Sequence, residues 1–279
     1  MSRLLLLITA LLFSTGGAAI KATSLASWQV ACFRSGVAAL ALLILAPGTR
    51  AGWSRRLVPV ALAYASTLTL FVLANKLTTA ANAVFLQSTA PLYLLLLGPL
   101  LLHERIRRSD VALISVVALG MSLFFVGRQP ALLTAPNPLH GNVLAAVSGV
   151  TWALTVVGLR WLSGRAGASP AAAVLAGNVM VCVACLPLAL PVAHGAWRDA
   201  GVILYLGIFQ IGLAYACLTR AIRHVPALEA SLLLLLEPVL NPVWAWLVHA
   251  ERPGAWALAG GAIILAASLA HTWRQKPVG

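Results

Sequence analysis

The sequence predicts an all-α integral membrane protein: ten transmembrane helices forming two inverted five-helix repeats, with both termini cytoplasmic. Three observations predict it. The first is composition. Of 279 residues, 61% are apolar and 9% charged, and mean hydropathy is +0.95. A soluble domain carries roughly a quarter charged residues, so there is too little polar surface here to cover a water-soluble globule.

The second observation is the number of spans. A helix crossing ~30 Å of hydrocarbon needs about 20 residues. Ten stretches qualify: 4–21, 28–47, 57–75, 80–102, 109–126, 141–161, 170–191, 201–219, 227–249 and 254–272. The start, "MSRLLLLITALLFSTGGAA", has the look of a secretory leader, but the count requires it as a retained first helix. Of the 19 Lys and Arg, 13 fall at alternate loops with the two termini, 5 (Lys21, Lys76, Arg128, Arg198 and Arg252) fall on the other side, and Arg34 lies inside span 2. The positive-inside rule then places both termini in the cytoplasm.

The third observation is a repeat. Pro91 and Glu104 stand 13 apart, as do Pro238 and Glu251, at an offset of 147. "APLYLLLLGPLLLHER" therefore sets against "EPVLNPVWAWLVHAER". Five spans per unit is odd, so the second unit enters the membrane from the opposite side, the inverted repeat of many secondary transporters. The units are 1–126 and 141–279, joined by a Pro-rich periplasmic loop at 127–140.

The acidic residues single out one position. Glu104, Asp110, Asp199 and Glu251 fall in loops and Glu229 at a helix mouth, whereas Glu237 falls near a helix centre. An ionised acid there costs about 2.5–3.5 kcal/mol on an insertion scale. Three readings stand: it contacts substrate or a coupling proton, it is structural with Arg34 or with backbone groups freed near Pro238, or it is a neutral, protonated passenger. Helical spacing puts Ala230, Leu234, Glu237 and Asn241 on one face, and the repeat maps that face onto Ala83, Gln87, Ala90 and Leu94. Gln87 is thus a candidate cavity residue. Span 3 carries Tyr64, Leu68, Phe71 and Asn75 as a stripe, and Leu68 maps to Tyr215 in span 8. Trp152 sits mid-span, where a tryptophan needs an N–H partner or a cavity. Arg34 reads as structural more than substrate-binding. Pro91 and Pro238 are hinge or kink positions, each removing a backbone hydrogen bond.

Ten spans, the P…E ending of each half, Arg34 in "CFRSG" and Trp152 in "VTWAL" together resemble the drug/metabolite transporter superfamily, EamA type. Within it the chain is similar to the aromatic amino-acid exporter group (YddG type). The resemblance implies a bacterial inner-membrane exporter whose central cavity is lined by spans 1, 3, 4, 6, 8 and 9.

The expected function is export of small metabolites, amino acids including aromatic ones, by alternating access around a midplane cavity. Glu237 would meet the ammonium, and Gln87, Asn75 and Asn241 the carboxylate, with Trp152, Tyr64, Phe71 and Tyr215 supplying rings. The alternatives are multidrug efflux and an uncoupled facilitator. An enzyme is disfavoured: there is no H-E-x-x-H and no clustered carboxylate. No cofactor and no metal are expected. Cys32, Cys182, Cys185 and Cys217 lie in apolar runs and read as small packing residues. The Lys and Arg form no stripe of the kind that binds nucleic acid. A monomer suffices for the fused repeat, and a dimer stays open.

Overall fold

A computed structural model of the chain describes residues 2–90, 92–93, 108–126, 132–192, 195, 197–221 and 233–274. Its elements are helical, and no strand occurs among the described residues. In chain order the helices are α1 (Ser2–Ser14), α2 (Gly16–Lys21), α3 (Ser27–Leu45), α4 (Leu57–Leu77), α5 (Ala80–Gln87), α6 (Arg108–Ser122), α7 (Pro138–Ser163), α8 (Pro170–Ala189), α9 (Trp197–Tyr205), α10 (Ala214–Ala221), α11 (Leu236–His249) and α12 (Ala255–Arg274). A π-helix, Leu206–Leu213, joins α9 to α10.

Among the described residues, six continuous stretches are long and apolar enough to cross a membrane: Ser2–Lys21, Ser27–Leu45, Leu57–Leu77, Pro138–Ser163, Pro170–Ala189 and Trp197–Ala221. They coincide with expected spans 1, 2, 3, 6, 7 and 8. Shorter apolar helices at Val111–Phe125 and Ala255–Ala267 coincide with spans 5 and 10. Spans 4 and 9 are only partly described, and Pro91, Pro99, Glu104 and Glu229 lie outside the described residues.

Helix starts follow local chemistry. Thr79, Asn137 and Ser169 accept the backbone N–H of Asn82, His140 and Ala172, and the last two are followed by Pro138 and Pro170 at the first helical position. A capping oxygen satisfies an otherwise orphaned N–H, and proline there loses nothing. The first span is not one rod. It breaks at Thr15, where the Ser14 and Thr15 hydroxyls donate to the Leu11 and Leu12 carbonyls and two glycines follow. Back-bonding hydroxyls and glycine both weaken a helix.

Packing relies on small residues. A Cβ built at Gly177 would sit 2.5 Å from Tyr64 Cδ1 and 2.8 Å from the Ala61 carbonyl, so α8 lies directly on α4. At Gly207 it would meet Val37 at 2.5 Å, which brings the π-helix against α3. Helices in lipid gain by such close approach because no hydrophobic force distinguishes tails from side chains.

One end of the bundle is closed by a polar layer that the loop assignments did not foresee. Lys21 and Glu251 form an ion pair at 3.3 Å, with side chains 2% and 1% exposed. The Lys21 ammonium also donates to the carbonyls of Thr78 (2.8 Å) and Thr134. Glu251 Oε2 accepts the Ala80 N–H at 3.1 Å. Beside them Lys76 donates to the Thr23 carbonyl at 2.7 Å, and Asp199 accepts both the N–H and the hydroxyl of Ser24. Asp199 and Glu251, expected in loops, and Lys21, expected at the end of span 1, are buried because they tie helix ends together.

Candidate functional site

Below that layer lies a small cavity of about 50 Å³, walled by Phe13, Arg34, Thr67, Leu68, Phe71, Gln87, Trp152, Gln210, Ile211, Tyr215 and Glu237. Its walls come from α1, α3, α4, α5, α7, the π-helix, α10 and α11.

The π-helix shapes one wall. In an α-helix, residues five apart point about 140° away from each other. Gln210 and Tyr215 are five apart and share this cavity because the intervening turns bond i→i+5. Tyr215 then meets Phe13 at 5.1 Å between ring centroids, and Tyr64 edge-on at 5.1 Å and 87°.

A guanidinium and a carboxyl group face this space without pairing with each other. Arg34 is 1% exposed; its Nη2 donates to the Leu68 carbonyl at 3.0 Å, and its Nε has no partner. Glu237 is half-buried in the first turn of α11, just past a turn at Leu235, rather than at the centre of an unbroken helix. It makes no ion pair with Arg34 and no hydrogen bond among the described residues. The pairing of Arg34 with Glu237 weighed from sequence is therefore not made; Arg34 instead grips a backbone carbonyl.

The neutral groups form a hydrogen-bonded chain beside the wall. Gln87 Nε2 donates to Ser148 Oγ at 2.7 Å, which fixes its amide, and Ser148 donates on to the Thr67 carbonyl at 3.4 Å. Thr67 in turn donates to Thr151 at 2.9 Å. Trp152 is half-buried on the wall, the cavity environment that a mid-span indole requires.

Of the residues singled out by sequence, Gln87, Phe71, Trp152, Tyr215, Glu237 and Arg34 come together on this wall. Tyr64 does not: it is 0% exposed, accepts from Asn178 Nδ2 at 3.1 Å, and reaches the cavity only through Tyr215. Asn75 and Asn241 are 0% exposed and stand one turn beyond the wall, at Phe71+4 and Glu237+4. Pro238 is buried inside α11, and Pro91 lies outside the described residues. Sequence reasoning missed Phe13, Thr67, Gln210 and Ile211. Gln210, a lone amide in the apolar run "GIFQIGL", carried a usable signal. The cysteines pack among apolar neighbours, with Cys32 and Cys182 sulfurs 3.9 Å apart.

Comparison with known proteins agrees with this architecture. The model of the EamA-like transporter family matches residues 1–126 and 139–272. The pseudopaline exporter CntI of Pseudomonas aeruginosa, from two strains, is 27% identical over 98% of this chain and 96% of its own. An uncharacterized transporter of Clostridium kluyveri is 25% identical over 68% of this chain and 62% of its own. A solved crystal structure covers 100% of this chain and 99% of its own, with a TM-score of 0.65 at 20% identity, a likeness of fold.

Proposed function

The chain belongs to the EamA-like transporter family, and from that premise we propose that it exports small zwitterionic metabolites with an apolar side chain, aromatic amino acids among them. It is a membrane transporter rather than an enzyme, and the relatives named as exporters support the direction of transport. The single observation that carries the substrate class is the Arg34 guanidinium and the Glu237 carboxyl on one cavity wall, neither in an ion pair among the described residues, with four aromatic rings around them. A carboxylate fits Arg34, whose fork donates planar hydrogen bonds, and an ammonium fits Glu237. This reverses the expectation that amides alone receive the carboxylate.

In the proposed mechanism the substrate's two charges replace the counter-ions that the wall lacks. Gln87 and Gln210 hydrogen-bond its polar atoms, and Phe13, Phe71, Trp152 and Tyr215 cover its side chain. Alternating access around this site uses two inverted five-span repeats, 1–126 and 141–279, joined at 127–140. The family model's separate matches to 1–126 and 139–272 support that division. So does the appearance of Leu68 and its repeat twin Tyr215 on the same wall. With both termini cytoplasmic in a bacterial inner membrane, the Lys21–Glu251 layer faces outward. A monomer suffices for this fused repeat.

Efflux of purely cationic drugs is the second reading. Glu237 among aromatic rings favours it, and the guanidinium of Arg34 on the same wall opposes it.

The test is counterflow in proteoliposomes with labelled phenylalanine, phenethylamine and phenylpropionate. The zwitterion should move fastest. Movement of phenethylamine alone would replace this reading with cation efflux, and movement of none would refute both.

A further inference from the structure

We infer that a second polar station, built from buried amides, lies between the cavity and the Lys21–Glu251 layer, and that it is a release site for the polar ends of the outgoing substrate.

Three helices show the same sequence of layers. Phe13, Phe71 and Glu237 line the cavity. Four residues farther along each chain come Gly17, Asn75 and Asn241. Beyond these come Lys21, Thr78 and the end of α11 that leads to Glu251. Four helical residues rise about 6 Å, so along α1–α2 and α4 the closure stands roughly 10–12 Å beyond the cavity. The middle layer is the path that anything leaving on that side must cross.

That middle layer is polar and unsatisfied. Asn241 is 0% exposed, and neither its Oδ1 nor its Nδ2 has a hydrogen-bond partner. Asn75, also 0% exposed, gives its Nδ2 to the Phe71 carbonyl and leaves Oδ1 without a partner. Gln210, on the cavity rim and 7% exposed, leaves Oε1 without a partner. Buried amides are nearly always paired, so the Asn241 amide and the free oxygens of Asn75 and Gln210 are groups whose partners arrive in another state.

What fills the station now is the break in span 1. A Cβ at Gly16 would sit 2.8 Å from Gln210 Nε2, and one at Gly17 would sit 2.8 Å from Asn241 Oδ1. The two glycines therefore press bare backbone onto the two amides. The short helix α2 that follows them ends at Lys21 and is held by Glu251 and the Thr78 carbonyl. Releasing Lys21 frees α2 to swing at Thr15. That exposes Gln210, Asn75 and Asn241 to water from the Lys21 side, where they can take the carboxylate and ammonium of a zwitterion leaving Arg34 and Glu237. The closure is thus a latch, and the amides are the site that it covers.

The release site rests on the export reading above, but its test needs no transported substrate, so each can fail alone. Asn241→Cys is placed in a chain whose four native cysteines are replaced, and a membrane-impermeant maleimide is applied to right-side-out and inverted vesicles. With Lys21–Glu251 intact the thiol should be protected. Adding Glu251→Gln should raise labelling about tenfold by shifting the chain toward the open state, from the right-side-out face only. Glu251→Asp should retain protection. Asn75→Cys, on a different helix, repeats the measurement if Asn241→Cys does not fold. A labelling rate unchanged by Glu251→Gln, fast labelling with the pair intact, or labelling only in inverted vesicles would overturn the inference.

Discussion

Replacing Arg34 by methionine separates a binding cation from a structural one. The guanidinium is 1% exposed, holds one backbone carbonyl at 3.0 Å, and makes no ion pair among the described residues. A hydrogen bond from it to a substrate carboxylate contributes about 1.5–3 kcal/mol. Losing that weakens binding about 10- to 150-fold. Methionine is shorter but close in volume and needs no desolvation of charge, and replacing buried ionic groups by apolar ones of like volume is often neutral or stabilising. Arg34→Met should therefore raise the Kd for labelled phenylalanine by that factor, leave phenethylamine within about twofold, and keep the thermal midpoint in detergent unchanged or higher. Equilibrium binding and counterflow on purified protein give both readouts. Wild-type affinity for phenylalanine would refute a carboxylate role. A fall in midpoint with equal loss of both probes would show that Arg34 is a structural cation.

Other outcomes follow from the same geometry. Glu237→Gln should cost phenylalanine about 10- to 150-fold in affinity and spare N-acetylphenylalanine, which lacks the ammonium, by the same charged-hydrogen-bond estimate; equal loss for both would remove the ammonium contact. Trp152→Ala should weaken phenylalanine far more than alanine in competition binding, because the indole supplies ring contact worth about 0.5–1.5 kcal/mol beyond area. Gly177→Ala forces a methyl into Tyr64 and the Ala61 carbonyl, at 2.5 and 2.8 Å. It should destabilise by about 1–3 kcal/mol, read as a lower thermal midpoint.

Much of this was legible in the sequence, for identifiable reasons. Hydropathy located spans because lipid demands apolar length, and eight of the ten expected stretches coincide with described apolar helices. Glu237, Gln87, Trp152, Phe71 and Tyr215 were found by depth, helical spacing and the repeat, and all five meet at one cavity. The stripe that gave Phe71 also gave Tyr64, which fails because it points at Asn178 on α8; spacing says which residues share a face, not which neighbour covers it. Gln210 and Phe13 escaped because they adjoin irregular backbone, the π-helix and the break at Thr15, and a 3.6-residue period foresees neither. Lys21 and Glu251 escaped because a charge beside a helix end looks the same whether water or another helix end receives it.

The widened turn at Leu206–Leu213 also bears on how the two halves are aligned. A π-turn is an α-helix that has gained a residue. Its counterpart stretch in α4 is an uninterrupted α-helix. On the inverted-repeat organisation proposed above, the offset that pairs Leu68 with Tyr215 applies downstream of the widened turn and slips by one position upstream of it. On that proposal, matches between the first spans of each half are to be sought one residue away from where a fixed offset points, and Gln210 falls within the turn where the slip occurs.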